Sequence, residues 1–253
     1  VEEFVCTLCD LSCVVVPHTL VVVSVLLFWE GIFSEKAIQY EEYNNTITTI
    51  KSLGRVSDLE KATGMDALKG TLGIGHTRWA THGEPSDVNS HPHGNANISI
   101  VHNGIIENYS KIKSFLEQKG YVFESQTDTE TVAKLLDYYY NGNPMETIVK
   151  VLGDIEGSYA LGILFKDFPD TVYAVRKDSP MIVGVGDDEA FIASDIPAFL
   201  KYTNKYYLLE HDEIVVLKDG KADIFDKHGL PIKKELMVAN WDMEAAEKGG
   251  YEH

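Results

Sequence analysis

The sequence predicts a single domain that mixes helices and strands, and three observations carry that reading. From Ile98 to Leu152 a short β-branched run is followed by three segments of helical periodicity. Beyond Gly157 the pattern turns largely to strands. With 253 residues, 44% of them hydrophobic, the chain can bury one large core or two modest ones, and one domain is expected.

Taken in order, Thr46 to Lys51 alternates β-branched residues with others and predicts a strand. Val56 to Leu68 suits a short helix interrupted by Gly64, and Thr71 to His76 is a β-favouring run that delivers Arg78 and Trp79 at its end. Pro85, Asn89, Pro92, Gly94 and Asn95 then punctuate a long loop. Ile98 to His102 reads as a strand that stops at Asn103-Gly104. Tyr109, Ile112 and Leu116 share one helical face, with Gly120 as the stop. Thr127-x-x-Glu130 has the form of a capping box, where hydroxyl and carboxylate satisfy free amides reciprocally. Val132, Leu135, Leu136 and Tyr139 form the next stripe, ending at Asn141-Gly142, and a third helix runs from Pro144 to Leu152. The strands expected after that are Tyr159 to Phe165, Thr171 to Val175, Met181 to Val185, Ala190 to Ala193, Tyr206 to Leu209 and Glu213 to Leu217, with a helix from Ile196 to Tyr202.

The first 36 residues read differently from the rest. Val14 to Trp29 is apolar but shorter than the ~20 residues a membrane span needs, and the Val-Glu-Glu start lacks the basic region of a secretory signal. A buried strand, or a segment not native to the domain, fits better. All three cysteines, Cys6, Cys9 and Cys13, lie in this stretch, so no disulfide framework staples the remainder and a reducing cytoplasm fits. Cys6-Thr7-Leu8-Cys9 has no second pair to complete a four-thiolate zinc site. The net charge of −17 argues against docking on phosphate backbones or anionic lipid, so neither nucleic acid nor membrane is an expected partner.

Polar chemistry concentrates between His76 and Asn108. The planar fork of Arg78 matches a carboxylate, and Asp128, an acceptor when ionised, can take an ammonium group; together they would hold both charged ends of an α-amino acid. A surface salt bridge for Arg78 and a first-turn helix acid for Asp128 explain the same residues. Asn103-Gly104 is a standard hairpin dipeptide, yet an Asn amide beside a close-approaching glycine backbone also suits an oxyanion. The helix that follows makes the hairpin less apt. His76, His82, His91 and His93 match no metal-ligand template, and Pro85 and Pro92 keep them off a single helix. They read as loop-holding groups, with His82, next to Gly83, the one placed to touch a ligand. Gly184-x-Gly186 lacks the third glycine and the helix of a dinucleotide loop, so no cofactor is expected.

At these residues the sequence resembles the glutaminase domain of the glutamine–fructose-6-phosphate aminotransferases, a class II glutamine amidotransferase domain. The likeness rests on HTRWATHG (His76 to Gly83), EPSDVNSHPH (Glu84 to His93), VHNGIIEN (Val101 to Asn108) and SQTDTE (Ser125 to Glu130). It continues through RKDSPMIVGVG (Arg176 to Gly186) and FIASD (Phe191 to Asp195), and spans roughly Leu53 to His253. The resemblance implies an α+β, N-terminal-nucleophile hydrolase fold: a four-layer αββα sandwich with two stacked antiparallel sheets. It implies Arg78 for the α-carboxylate of L-glutamine, Asp128 for its α-ammonium, and Asn103 with the Gly104 amide as oxyanion hole. Trp79, Thr81 and His82 would lie in the loop closing over the substrate. It also implies an N-terminal cysteine nucleophile with its own α-amine as base. The ammonia would pass to a sugar-isomerase domain making glucosamine 6-phosphate from fructose 6-phosphate, and a homodimer would form through that domain. The sequence departs from the pattern at its start: Cys6, 72 positions before Arg78, is followed by Thr7 rather than Gly and preceded by five residues. Its amine is available only if Val1 to Val5 are removed. The expected organisation is therefore a non-native segment over 1–36, the amidotransferase domain over 37–234, and from 235 to 253 the start of a linker toward the isomerase domain. A non-catalytic glutamine-binding or interaction module is the competing function.

Overall fold

The computed structural model describes residues 20–24, 35–42, 46–53, 72–78 and 84–240, with side-chain surroundings for 46–51, 72–77 and 84–240. The helix expected over Val56 to Leu68 lies outside these residues, as do the three cysteines.

Two sheets stack face to face. The first runs, edge to edge, β15 (Met237–Val238), β11 (Lys205–Leu208), β9 (Ile182–Val185), β10 (Ala190–Ala193), β1 (Leu20–Ser24), β4 (Leu72–Arg78), β2 (Glu35–Glu42) and β3 (Thr46–Leu53). The second runs β14 (Pro231–Ile232), β13 (Lys221–Phe225), β12 (Glu213–Lys218), β8 (Thr171–Lys177), β7 (Gly157–Phe165), β6 (Ile98–Ile106) and β5 (His93–Gly94). The second sheet is antiparallel throughout. The first is mixed, because β1 lies parallel to both β4 and β10, which corrects the expectation of two purely antiparallel sheets.

Side-chain alternation along the strands separates the cores. On β7, Leu161, Ile163 and Phe165 face a helical layer, whereas Ala160 and Leu164 face the other sheet. That helical layer consists of α1 (Tyr109–Gln118), α2 (Asp128–Tyr139) and α3 (Pro144–Asp154). Ile112 and Leu116 of α1 and Val132, Leu135 and Leu136 of α2 are buried against β6 and β7, as the helical stripes predict. Burying each such side chain stabilises by about 1.5–3 kcal/mol, which is what fixes these helices on the sheet. Between the sheets lie Leu72, Ile74, Val101, Val172, Val183, Ile192 and Val215. On the outer face of the first sheet, Phe191, Ala193, Ile196, Phe199 and Ala239 form a separate cluster.

Two local expectations change. The helix predicted from Ile196 to Tyr202 is a single 3-10 turn, Ile196–Ala198. Packing overrides periodicity there: the Phe199 ring stacks on Phe191 at 6.2 Å and fills the space a Cβ on Gly184 would occupy, and the Thr203 hydroxyl donates to the Val185 carbonyl. The capping box at α2 is half formed. Thr127 Oγ1 accepts the Glu130 N–H at 3.2 Å, but the Glu130 carboxylate accepts from the Glu124 and Ser125 amides instead of returning to Thr127. The Ser125 hydroxyl takes the Thr127 N–H in its place, at 3.2 Å.

Candidate active site

Asn103 and Gly104 sit inside a strand, not at a turn. β6 continues through them to Ile106, pairing Asn103 with Ala160 and Gly104 with Tyr159. The hairpin reading is thereby overturned, and glycine is what lets the strand go on. Gly104 has φ +127°, and a Cβ there would lie 2.1 Å from the Ser158 carbonyl oxygen and 2.7 Å from Ser179 Oγ. Only a residue without a side chain can approach β7 so closely.

Neighbouring residues of β6 point to opposite faces. Asn103 faces the first sheet, where its Oδ1 lies 2.5 Å from His76 Nε2 on β4. Both side chains are buried, at 6% exposure each. The His76 ring packs on His91 with centroids 4.2 Å apart, and His91 meets His93 edge-on at 5.2 Å. His93 Nε2 reaches Thr127 Oγ1 at 3.2 Å. The peptide bond His91-Pro92 is cis. Three of the predicted loop-holding histidines therefore form one buried chain from Asn103 to the cap of α2. Among the described residues no group of three or more His, Cys, Asp or Glu is arranged to hold a metal ion.

His102 faces the helices. Its Nδ1 lies 3.1 Å from Thr129 Oγ1 and 3.9 Å from Asp128 Oδ2. Burial holds its pKa below the ordinary 6.5 despite the opposing pull of the Asp128 carboxylate, so the ring is neutral at pH 7.

Asp128 is the first residue of α2 and is buried, yet it is more than a first-turn acid. Its Oδ2 accepts the backbone N–H of Ile106 at 2.8 Å, and its Oδ1 accepts that of Thr129 at 3.1 Å. The carboxylate is thus tied to β6 three residues beyond Asn103. An ionised carboxylate has about four acceptor positions, which leaves capacity for a ligand's ammonium.

Arg78 closes β4, with its backbone paired to Glu35. Its side chain, and all of Trp79, Thr81 and His82, lie outside the described residues. The structure thus brings together Asn103, Gly104 and Asp128 along one strand end. The sequence reading missed the specific roles of His76, as partner of Asn103, and of Ser158 and Ser179, as the wall against Gly104. His76 and Asn103 are 27 positions apart, and no local pattern links them.

Residues 76–201 match the family profile described as a glutamine amidotransferase domain. Over 213 residues the chain is 55% identical to glutamine–fructose-6-phosphate aminotransferase (isomerizing) of Caldanaerobacter subterraneus subsp. tengcongensis, covering 83% of this chain and 35% of that protein. The protein of the same name from Clostridium tetani is 51% identical over 212 residues, with the same coverage of 83% and 35%. The chain therefore spans 35% of the length of these curated relatives. Among solved structures, glutamine phosphoribosylpyrophosphate amidotransferase from B. subtilis superposes with TM-score 0.66 at 22% identity, over 76% of this chain and 43% of that one. A glutamine aminotransferase class-II domain protein from Silicibacter pomeroyi superposes with TM-score 0.57 at 12% identity, over 76% and 90%. At such identities the structural likeness shows the fold, which is the N-terminal-nucleophile hydrolase sandwich; joined to the profile match and to sequence identity above one half, it means that the chain belongs to the class II glutamine amidotransferase family.

Proposed function

We propose that this chain binds L-glutamine and is built to hydrolyse it to glutamate and ammonia. The observation that supports this most is the tie between Asp128 Oδ2 and the Ile106 N–H, which sets a buried carboxylate beside the same strand end as Asn103 and Gly104. Asp128 takes the substrate's α-ammonium and Arg78 its α-carboxylate. Trp79, Thr81 and His82 close over the bound amino acid. Attack on the side-chain amide produces an oxyanion, and the Asn103 amide with the Gly104 N–H stabilises it; one such donor contributes roughly 3 kcal/mol to the barrier. None of these steps calls for a metal or cofactor.

The attacking group is a cysteine thiol with its own α-amine as base, a condition Cys6 meets once Val1 to Val5 are removed. By analogy with the names of its relatives, the ammonia serves synthesis of glucosamine 6-phosphate from fructose 6-phosphate. The partner is then a sugar-isomerase domain reached through the residues that follow β15 and Ala239, which still belong to the first sheet and its outer cluster, in a homodimer joined through that domain and working in the cytoplasm. Among the described residues no helix is long and apolar enough to cross a membrane.

Calorimetric titration with L-glutamine beside an ammonia-release assay tests the reading, with mass spectrometry of the N-terminus. Binding with ammonia release, on a chain that begins with cysteine, is the expected result. Binding without release from such a chain selects a glutamine-binding module, and no binding overturns the proposal.

A further inference from the structure

The contact between His76 and Asn103 crosses from one sheet to the other and decides something that the backbone leaves open. An Asn side chain carries an acceptor oxygen and a donor nitrogen of nearly equal shape, so hydrogen bonding alone separates its two orientations. Only one of them serves an oxyanion. The nitrogen must face the developing negative charge, because the oxygen would repel it. In the structure Asn103 Oδ1 faces His76 Nε2 at 2.5 Å, and that contact is attractive only if Nε2 carries the ring proton.

We propose that His76 is a positioning residue: its Nε2–H holds Asn103 Oδ1 and so turns the amide nitrogen toward the substrate carbonyl. The inference rests on the glutamine reading of the same site. His76 is well placed to act as a fixed reference. It sits on β4, a strand paired on both sides, and its ring packs at 4.2 Å on His91, which is in edge contact with His93. His93 in turn contacts Thr127 Oγ1, the atom that caps the helix presenting Asp128. One buried series of side chains therefore connects the group that polarises the substrate amide with the element that holds its α-ammonium. A rotated His76 or a flipped Asn103 would put two acceptors, or two donors, against each other between two buried side chains, a costly arrangement at that depth.

Long-range proton–nitrogen NMR correlation of the imidazoles reads the tautomer directly in the ligand-free chain, and His76 Nε2 is expected to be protonated. The Asn103 side-chain NH2 signals are then followed on adding L-glutamine. They are expected to shift in the unmodified chain and in His76→Gln, which keeps a nitrogen donor. In His76→Ala the shift is expected to be lost while the Kd rises by no more than about five-fold, because the charged ends of the substrate are held elsewhere. An unprotonated Nε2 overturns the proposal. So do His76→Ala amide signals that respond as in the unmodified chain. A protonated Nε2 in a chain that fails to bind glutamine supports the orientation and overturns the functional reading instead. Should His76→Ala not fold, the tautomer and His76→Gln decide the matter.

Discussion

Replacing Gly104 with alanine tests the close approach on which the strand end depends. The residue has φ +127°, so any L side chain is strained there, at about 1–3 kcal/mol. The added Cβ would also lie 2.1 Å from the Ser158 carbonyl oxygen. That oxygen belongs to the β6–β7 ladder, where Ser158 pairs with Ile105, so it cannot withdraw without opening the pairing. Overpacking of this kind typically costs a further 1–3 kcal/mol or so. The sum, about 2–6 kcal/mol, is a large part of the 5–15 kcal/mol typical of a folded domain. Gly120→Ala is the control, since Gly120 has φ +92° with open space around the missing side chain. It keeps the conformational cost without the overlap. Equilibrium urea unfolding of both variants should therefore show Gly104→Ala less stable than Gly120→Ala by about 1–3 kcal/mol. Equal destabilisation of the two would refute the argument that contact with β7, rather than backbone conformation alone, demands glycine.

Three further outcomes follow from the same geometry. Asp128→Ala leaves the buried Ile106 N–H without its acceptor and should cost about 1–3 kcal/mol in urea unfolding, whereas Asp128→Asn keeps an acceptor and costs less. Both should weaken glutamine binding about ten-fold or more by calorimetry, because the ammonium loses its countercharge. Burial raises the Glu130 pKa, but the Glu124 and Ser125 amides and Lys134 outweigh it and hold the value below the ordinary 4.5. Its stabilisation is thus present above 4.5 and lost as pH falls through the lower folded value; Glu130→Gln should flatten the urea midpoint over that range. His102 has the opposite ionisation but the same direction: the unfolded chain takes up its proton below 6.5 while burial keeps the folded ring neutral. Stability should fall below that pH by at most about 1.4 kcal/mol per unit for this group, and His102→Gln should remove that slope.

Elements whose signal is local were legible in the sequence. Ile112 with Leu116, and Val132 with Leu135 and Leu136, carry a helical period strong enough to place α1 and α2 on the sheet they cover. The central strands β7, β8 and β12 are apolar over most of their length and read equally well. The edges did not. β5, β14 and β15 are two residues each, and β13 buries only Ile224, so neither length nor alternation marks them. Asn103-Gly104 misled as to where β6 ends because its dipeptide preference is that of a turn, while pairing with β7, a tertiary effect, carries the strand onward. Asp128 could be recognised as an acid opening a helix, but its bond to Ile106 crosses between elements and left no trace in local spacing.

The alternation of β6 also explains why the site needs two supporting layers. His102 and Asn103 are adjacent, so their side chains point to opposite faces: one toward Thr129 of the helices, the other toward His76 of the first sheet. A group on the helical layer and a group between the sheets can serve one ligand only where the strand is open. β6 is open at its end, where Gly104 and Ile105 are exposed after six buried residues. Asp128 reaches that end by bonding to Ile106, and Asn103 lies just before it. Asn103, the proposed oxyanion donor, is thus fixed by sheet-to-sheet packing and Asp128, the proposed ammonium ligand, by helix-to-sheet packing. Their spacing depends on both cores at once, so the buried contacts that join the two layers, from His76 through His91 and His93 to Thr127, maintain the distance between the two side chains proposed to hold one small substrate.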